Sequence, residues 1–255
     1  MTGFAHRLAP LLLLTLLLGL WEAACRLLHV PIYFLPPPSA VAVALVERAP
    51  VLASSAFQTF RMAIQALIAA SIIGGGLAVA VSLSPIAERA VRPLAVALQV
   101  TPIVAIAPLV VIWAGLDNAE FAVIALAAAA AFFPVFSGVL TGLQSADADL
   151  ERLFDLYGAN RIQRLVRLRL PTALPFALEG LRVASGLAVI GAVVAEFVSG
   201  TGQTQGLAWR LLEAGNRLRT PELLAALVWL AALGLLLNLA VAAGSREILK
   251  QRSGR

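Results

Sequence analysis

Apolar residues fall in six stretches along this chain, each close to the ~20 residues that carry a helix across a ~30 Å hydrocarbon core. The stretches are Leu11 to Leu28, Phe57 to Leu83, Leu94 to Trp113, Glu120 to Leu140, Val183 to Val198 and Glu222 to Ala243. Polar, proline-rich or glycine-rich segments separate them. The pattern predicts an all-α polytopic membrane protein of about six spans. The first stretch, with its short basic start at His6 and Arg7, reads as an uncleaved span, since more spans follow it.

The interior of each span carries its own signals. Glu22 and Arg26 stand four apart on one helical face, a spacing that lets the two charges neutralise each other near an interface. After the first span, Pro31 and Pro36 to Pro38 break any helix, and Ser39 is placed to cap a short surface helix from Ala40 to Arg48. Gly74, Gly75 and Gly76 in the second span suit close backbone approach to a neighbour. The third span holds Pro102 and Pro108, which predict a kinked helix beside a cavity or gate. Gln99 and Thr101 precede the kinks and are candidates to line a path, or to satisfy carbonyls the prolines leave free. A tight turn is expected from Gly115 to Asn118. In the fourth span the run Ala127 to Ala131 makes a packing surface, and in the fifth Ala184, Ala188 and Ala192 form a ladder that Glu196 continues. A carboxylate at such a depth is a candidate for gating or for a buried structural pair.

Composition agrees with the pattern. The 255 residues are 60% hydrophobic and 13% charged, against about 25% charged for soluble domains. The formal net charge of +5 reads as the cytoplasmic bias of membrane proteins rather than as a nucleic-acid surface. Cys25 is the only cysteine, which excludes an internal disulfide. Six spans put both termini on one side. With that side cytoplasmic, Arg7, Arg89, Arg92, six arginines from Arg152 to Arg182, and Arg246, Lys250, Arg252 and Arg255 lie inside, thirteen in all. Arg26, Arg48, Arg61, Arg210, Arg217 and Arg219 lie outside. The asymmetry orients both termini toward the cytoplasm. The loop from Thr201 to Gly206 then faces outward, and the charged stretch Asp147 to Arg182 faces inward.

That stretch has its own periodicity. Leu150, Leu153, Phe154 and Tyr157 recur at i, i+3, i+4 and i+7, an amphipathic helix with Asp147 or Asp149 at its start. Gly158 offers a turn or a C-terminal cap. A second short helix is expected from about Asn160, with Ile162, Leu165 and Val166 on one face and Arg161, Arg164 and Arg167 on another; Pro171 and Pro175 are expected to stop it. By charge pattern alone, a lipid-surface helix, a solvated face and a protein contact remain open.

Gly158, nine residues, then Leu168-Arg169-Leu170-Pro171 resembles the EAA loop of ABC importer permeases. Tyr157-Gly158-Ala159, the run Leu170 to Pro175, Gly180-Leu181-Arg182, Ala195-Glu196, Trp21-Glu22, Leu35 to Ser39, Thr101-Pro102, Ala107 to Leu109 and Ile112 to Gly115 are similar to the nitrate/sulfonate/taurine-type permeases, in order along almost the whole chain. One departure stands at the motif's head, where Arg152, Leu153 and Phe154 occupy the Glu-Ala-Ala positions and Glu151 lies one residue early. The resemblance implies a single transmembrane permease domain over 1–255, with its family core at about 57–244 and a cytoplasmic coupling loop at 142–181. It implies that Leu150, Leu153, Phe154, Tyr157, Gly158, Ala159, Arg161, Leu170 and Pro171 couple to an ATPase. Gln99, Thr101, Pro102, Pro108 and Glu196 are the path or gating candidates.

The implied assembly is an importer in the bacterial inner membrane. It has a permease homodimer, two cytoplasmic ABC ATPase subunits and a periplasmic or lipid-anchored substrate-binding protein. The chain itself would bind no cofactor and no metal and catalyse nothing, with ATP and Mg2+ held by the ATPase. In keeping with that, it has no G-x-x-x-x-G-K-[ST] loop, and Lys250 is its only lysine. An ion- or proton-coupled secondary carrier is the alternative; the absence of a visible internal repeat weighs against its inverted-repeat form. The expected solute is a small organic molecule, sulfonate-, taurine- or nitrate-like or a vitamin precursor such as a thiamine pyrimidine.

Overall fold

The computed structural model describes residues 2–115, 118–199 and 204–253, with the side chains of 2–8, 11 and 253 left aside. All regular structure among the described residues is helical: α1 (Thr2–Leu27), α2 (Pro38–Glu47), α3 (Ala49–Ser82), α4 (Pro85–Val100), α5 (Ile103–Ala114), α6 (Ala119–Gln144), α7 (Ala148–Leu156), α8 (Arg161–Arg164), a π-helical turn (Leu165–Arg169), α9 (Leu170–Ser199), α10 (Leu207–Asn216) and α11 (Thr220–Ser253). Four helices are long and apolar enough to cross a membrane: α3, α6, the continuous Arg161–Ser199 and α11; the bent pair α4–α5 makes a fifth if counted as one. The stretch expected as a first span is helical in α1. Leu116 and Asp117 of the expected turn, and Thr201 to Gln203 of the expected outer loop, lie outside the described residues, as do the side chains of His6 and Arg7 and all of Arg255.

The chain forms two compact units: Met1–Ala56 with Gln205–Ala231, and Phe57–Thr204 with Ala232–Arg255. In the first, the Glu22–Arg26 ion pair forms as expected, at 2.6 Å. Ser39, however, is not the cap of the surface helix. Pro37 holds that position, and its ring carries no acceptor for the helix's free N–H groups. The Glu22 carboxylate takes over the capping role from a distance in sequence, accepting the Ser39 backbone N–H at 3.0 Å and the Ser39 hydroxyl at 2.8 Å. A carboxylate is well suited there because the first turn of a helix presents unpaired N–H groups and positive dipole.

The second unit is built on α6 against α9. Their seam runs backbone to backbone: a Cβ on Gly142 would lie 2.7 Å from the Ala173 Cα, and one on Gly180 would lie 2.5 Å from the Pro134 carbonyl oxygen. Ala127 and Ala131 on α6 and Ala184, Ala188 and Ala192 on α9 are fully buried along it, as the alanine patterns predict. Apolar surface gains nothing by leaving lipid for protein. Helices that must associate there do so through close van der Waals contact, which only small residues allow. Of the three glycines in α3, Gly74 approaches the α6 backbone at Phe132, whereas Gly75 and Gly76 face open space.

Two expectations fail in this unit, each for a local reason. The third span is broken rather than kinked: α4 and α5 meet at 97°. Thr101, which precedes Pro102, is driven out of the helical region (φ −70°, ψ 123°), and Pro102 is extended as well (φ −64°, ψ 113°). Two consecutive extended residues turn the chain. Pro108 lies inside α5 without interrupting it. Conversely, Pro171 and Pro175 do not stop the second loop helix, which runs through them into α9, so the fifth span begins far upstream of Val183. The π-helical turn at Leu165–Arg169 absorbs the register change before Pro171. Pro175 has no N–H for the Pro171 carbonyl, and the Arg252 guanidinium donates to that carbonyl instead.

Candidate functional site

The segment after α6 folds by three local rules. Asp147 caps α7, its Oδ1 accepting the N–H groups of Asp149 at 2.7 Å and Leu150 at 3.3 Å. Gly158 ends α7 in the left-handed region, φ +65°. Its N–H reaches the Asp155 carbonyl at 3.0 Å and the Ala159 N–H reaches Phe154 at 2.9 Å, the paired closure of a Schellman turn. Asn160 and Gln163 then form a reciprocal capping box that starts α8.

Charges lock this geometry. Arg164 donates from Nε and a terminal nitrogen to the Ala159 carbonyl, each at 3.2 Å, and its guanidinium also pairs with Asp155. Glu151 binds Arg169 at 2.6 Å and lies 3.9 Å from Arg164. Glu151 therefore ties α7 to the π-helical turn that leads into α9, while Arg152, in the Glu position of the motif, pairs with exposed Asp149 at 3.0 Å. Arg161 donates to the Leu83 carbonyl at 3.5 Å, linking α8 to the end of α3.

With the turn held from within, α7 buries none of its residues. Leu150, Leu153, Leu156 and Tyr157 are exposed, the last two by 85% and 83%, and Phe154 is half-buried. The expected apolar face of the second helix is only partly right. Leu165 packs with Leu143 and Ala173, but Ile162 and Val166 are exposed and Leu168 takes the buried place. The π-helical turn adds a residue per turn and rotates the buried stripe. Leu170 is exposed and Pro171 half-buried at the head of α9.

The other candidates divide. Gln99, Thr101 and Pro102 come together at the α4–α5 break, lining a groove of about 380 Å³ whose far wall is Pro134 on α6 and Ile190, Gly191 and Val194 on α9. The Thr101 hydroxyl donates to the Ala97 carbonyl at 2.8 Å, so it serves the break. Pro108 and Glu196 do not line the groove. Glu196 is 2% exposed near the end of α9, where its Oε1 accepts the Thr204 hydroxyl at 2.9 Å.

Long apolar helices, a capped helix that exposes its apolar side chains on a short loop between two of them and, apart from it, a groove at a broken helix fit a membrane transport component. The comparisons agree. The family described as "Binding-protein-dependent transport system inner membrane component" matches residues 70–255. The chain is 34% identical over 234 residues to the formylaminopyrimidine transport permease protein ThiX of Halalkalibacterium halodurans, covering 90% of each chain. It is 31% identical over 242 residues to the taurine transport system permease protein TauC of Escherichia coli, covering 92% of this chain and 86% of that one. It is 28% identical over 247 residues to the putative aliphatic sulfonates transport permease protein SsuC of Bacillus subtilis, covering 95% and 87%. The chain belongs to the inner-membrane permease family of binding-protein-dependent ABC importers, and the ion-coupled alternative finds no support among its relatives. It is a multi-pass inner-membrane protein, and its family works with an ATPase and a substrate-binding protein.

Proposed function

We propose that this permease works as a homodimer, each copy spanning the membrane six times with both termini cytoplasmic, and that the whole of 1–255 is one transmembrane domain with its family core at about 57–244. The loop 142–181 is the coupling element. Leu150, Leu153, Phe154 and Tyr157 enter a groove on the cytoplasmic ATPase; Gly158, Ala159 and Arg161 set the angle of entry, and Leu170 and Pro171 carry the motion into α9. Two ATPase subunits hold ATP and Mg2+, while this chain catalyses nothing. ATP-driven closure draws the two loops together and turns the bundles from inward- to outward-open. A binding protein then releases solute into the path, to which each copy contributes the groove at Gln99, Thr101 and Pro102; Pro108 and Glu196 act in gating. The observation that carries this reading is the exposed apolar face of α7 on a loop braced at both ends.

The groove has aliphatic walls from Leu98, Val100, Ile103, Val104 and Ile190 with one amide at Gln99. That chemistry suits a small organic solute with flat apolar faces and a few hydrogen-bonding groups, such as a pyrimidine, better than a bare inorganic anion. Reconstitution in liposomes tests the reading. Uptake of a formylaminopyrimidine should require the ATPase, ATP and the binding protein together. Uptake by the permease alone would refute the coupling role, and uptake of taurine or nitrate but of no pyrimidine would refute the solute class.

A further inference from the structure

We propose that a cavity where α3 ends and α8 begins holds the phosphate of an anionic phospholipid. Such a site is separate from the solute path and adds to the coupling role given to Arg161. Arg161, Arg164 and Arg169 line a cavity of about 240 Å³ together with Ser82, Leu83 and Pro85. Among the described residues no carboxylate lines it. The acids that answer these arginines stand on α7: Glu151 pairs with Arg169 at 2.6 Å, and Asp155 pairs with Arg164. Three guanidiniums against two carboxylates leave +1. The unmatched charge is Arg161, which forms no ion pair among the described residues. It donates to the Leu83 carbonyl at 3.5 Å, a long contact that uses little of its donor capacity. A phosphate accepts such a planar fork through two oxygens at once, which makes arginine the side chain best shaped to hold it.

The depth of the cavity favours a lipid over a soluble anion. From Met62 to Ala87 the chain carries no charged residue, so the apolar length of α3 runs as far as Ser82 on the cavity wall. The span therefore leaves the hydrocarbon core close to the cavity, at the level where lipid phosphates lie. Leu83 on the wall is exposed, and so are Ile86, Ile162 and Val166, each next in sequence to a lining residue. Arginines within and branched apolar side chains beside them fit a phosphate that carries acyl chains; a free phosphate would leave the apolar side chains in water. On the orientation given above the cavity faces the cytoplasmic leaflet, which is rich in anionic lipid, and a basic pocket between helices on that side suits such a headgroup. The bound phosphate would join α8 to the α3–α4 connection, and so hold one end of the proposed coupling loop at the membrane surface.

The test titrates dioleoylphosphatidylglycerol into the full-length permease in detergent and reads retained lipid by native mass spectrometry, with dioleoylphosphatidylcholine as the net-neutral control. A single phosphatidylglycerol per chain should be held in preference to phosphatidylcholine. Arg161→Gln should weaken that lipid about fivefold and leave phosphatidylcholine unaffected. Pro85→Asp brings a carboxylate to the cavity wall at the start of α4, where it suits the helix dipole; the chain should fold, and phosphatidylglycerol should weaken by a similar factor. Unchanged phosphatidylglycerol affinity in either variant overturns the proposal. So does its displacement by inorganic phosphate at matched ionic strength, which would assign the cavity to a free oxyanion. Loss of ATPase binding by Arg161→Gln with lipid retention intact would assign the cavity to the partner protein and overturn it too. The titration needs neither ATPase nor binding protein, so its failure is distinct from a failure of the importer reading.

Discussion

Gly158 offers the sharpest view of whether the proposed coupling loop works by its backbone or by its side chains. A Cβ placed there would meet nothing within 4 Å in this chain, so substitution creates no internal clash. The cost lies in φ +65°. A left-handed L-residue costs about 1–2 kcal/mol. Replacing glycine also removes freedom from the unfolded chain, which returns about 0.4–1 kcal/mol. Alanine should therefore disfavour the closed turn by a net of about 1 kcal/mol, roughly a fivefold shift in loop population. Asparagine, which tolerates the left-handed region, should cost less, and valine, a true outlier there, clearly more. The assay is solute moved per ATP hydrolysed in reconstituted transporter, read as Gly, Asn, Ala, Val. The ratio should fall in that order while the complex stays assembled. If valine couples as well as glycine and only a large residue such as tryptophan fails, the space in front of Gly158 matters and the Schellman geometry does not.

Two further predictions follow from neighbouring contacts. Gly142→Leu drives a side chain into the α9 backbone at Ala173 and should lower the stability of purified protein by about 1–3 kcal/mol or more; Gly186→Ala, inside α9 where a Cβ meets nothing within 4 Å, should raise it by about 0.4–1 kcal/mol, and a loss there matching that of Gly142→Leu would show that helix position alone, not the seam, is being read. Glu151→Gln breaks the partly buried pair to Arg169 and should raise amide exchange through α7 by an amount equivalent to about 1 kcal/mol; Arg169→Gln should raise it comparably and E151Q/R169Q by little more than either alone, and strictly additive effects would place them outside the ion pair.

What could be read from the sequence followed the range of the interaction involved. Asp147, Gly158 and Asn160 obey rules that span a few residues, and the helix–turn–helix they define was legible. The alanine ladder was legible because lipid leaves small residues as the main means of packing. Gly138 and Gly142 share that spacing, but their partners Phe176 and Ala173 depend on the register of α6 against α9, which nothing local encodes. The Glu151–Arg169 tie and the Arg164 brace join residues on different helices and were likewise invisible. The α4–α5 break was half legible. The residue before a proline avoids helix, but a span-length apolar run argues for continuity, and the backbone preference prevailed. At Pro171 and Pro175 the opposite happened, because a π-helical turn before the first and the distant Arg252 at the carbonyl left free by the second removed the conflicts that normally end a helix.

Continuity through Pro171 makes one object of the second half of the proposed coupling loop and the span that follows it. Arg161 to Ser199 is 39 residues, about 58 Å at 1.5 Å per residue. Along that length it is clamped to α6 at Ala173 against Gly142, at Gly180 against Pro134 and at Gly191 against Ala127. Clamps on both sides of Gly180 leave the rod no single pivot. A pull on the loop of the kind proposed above would carry α6 and α9 as one stiff body, and Val194 at the wall of the groove would travel with the loop rather than against it.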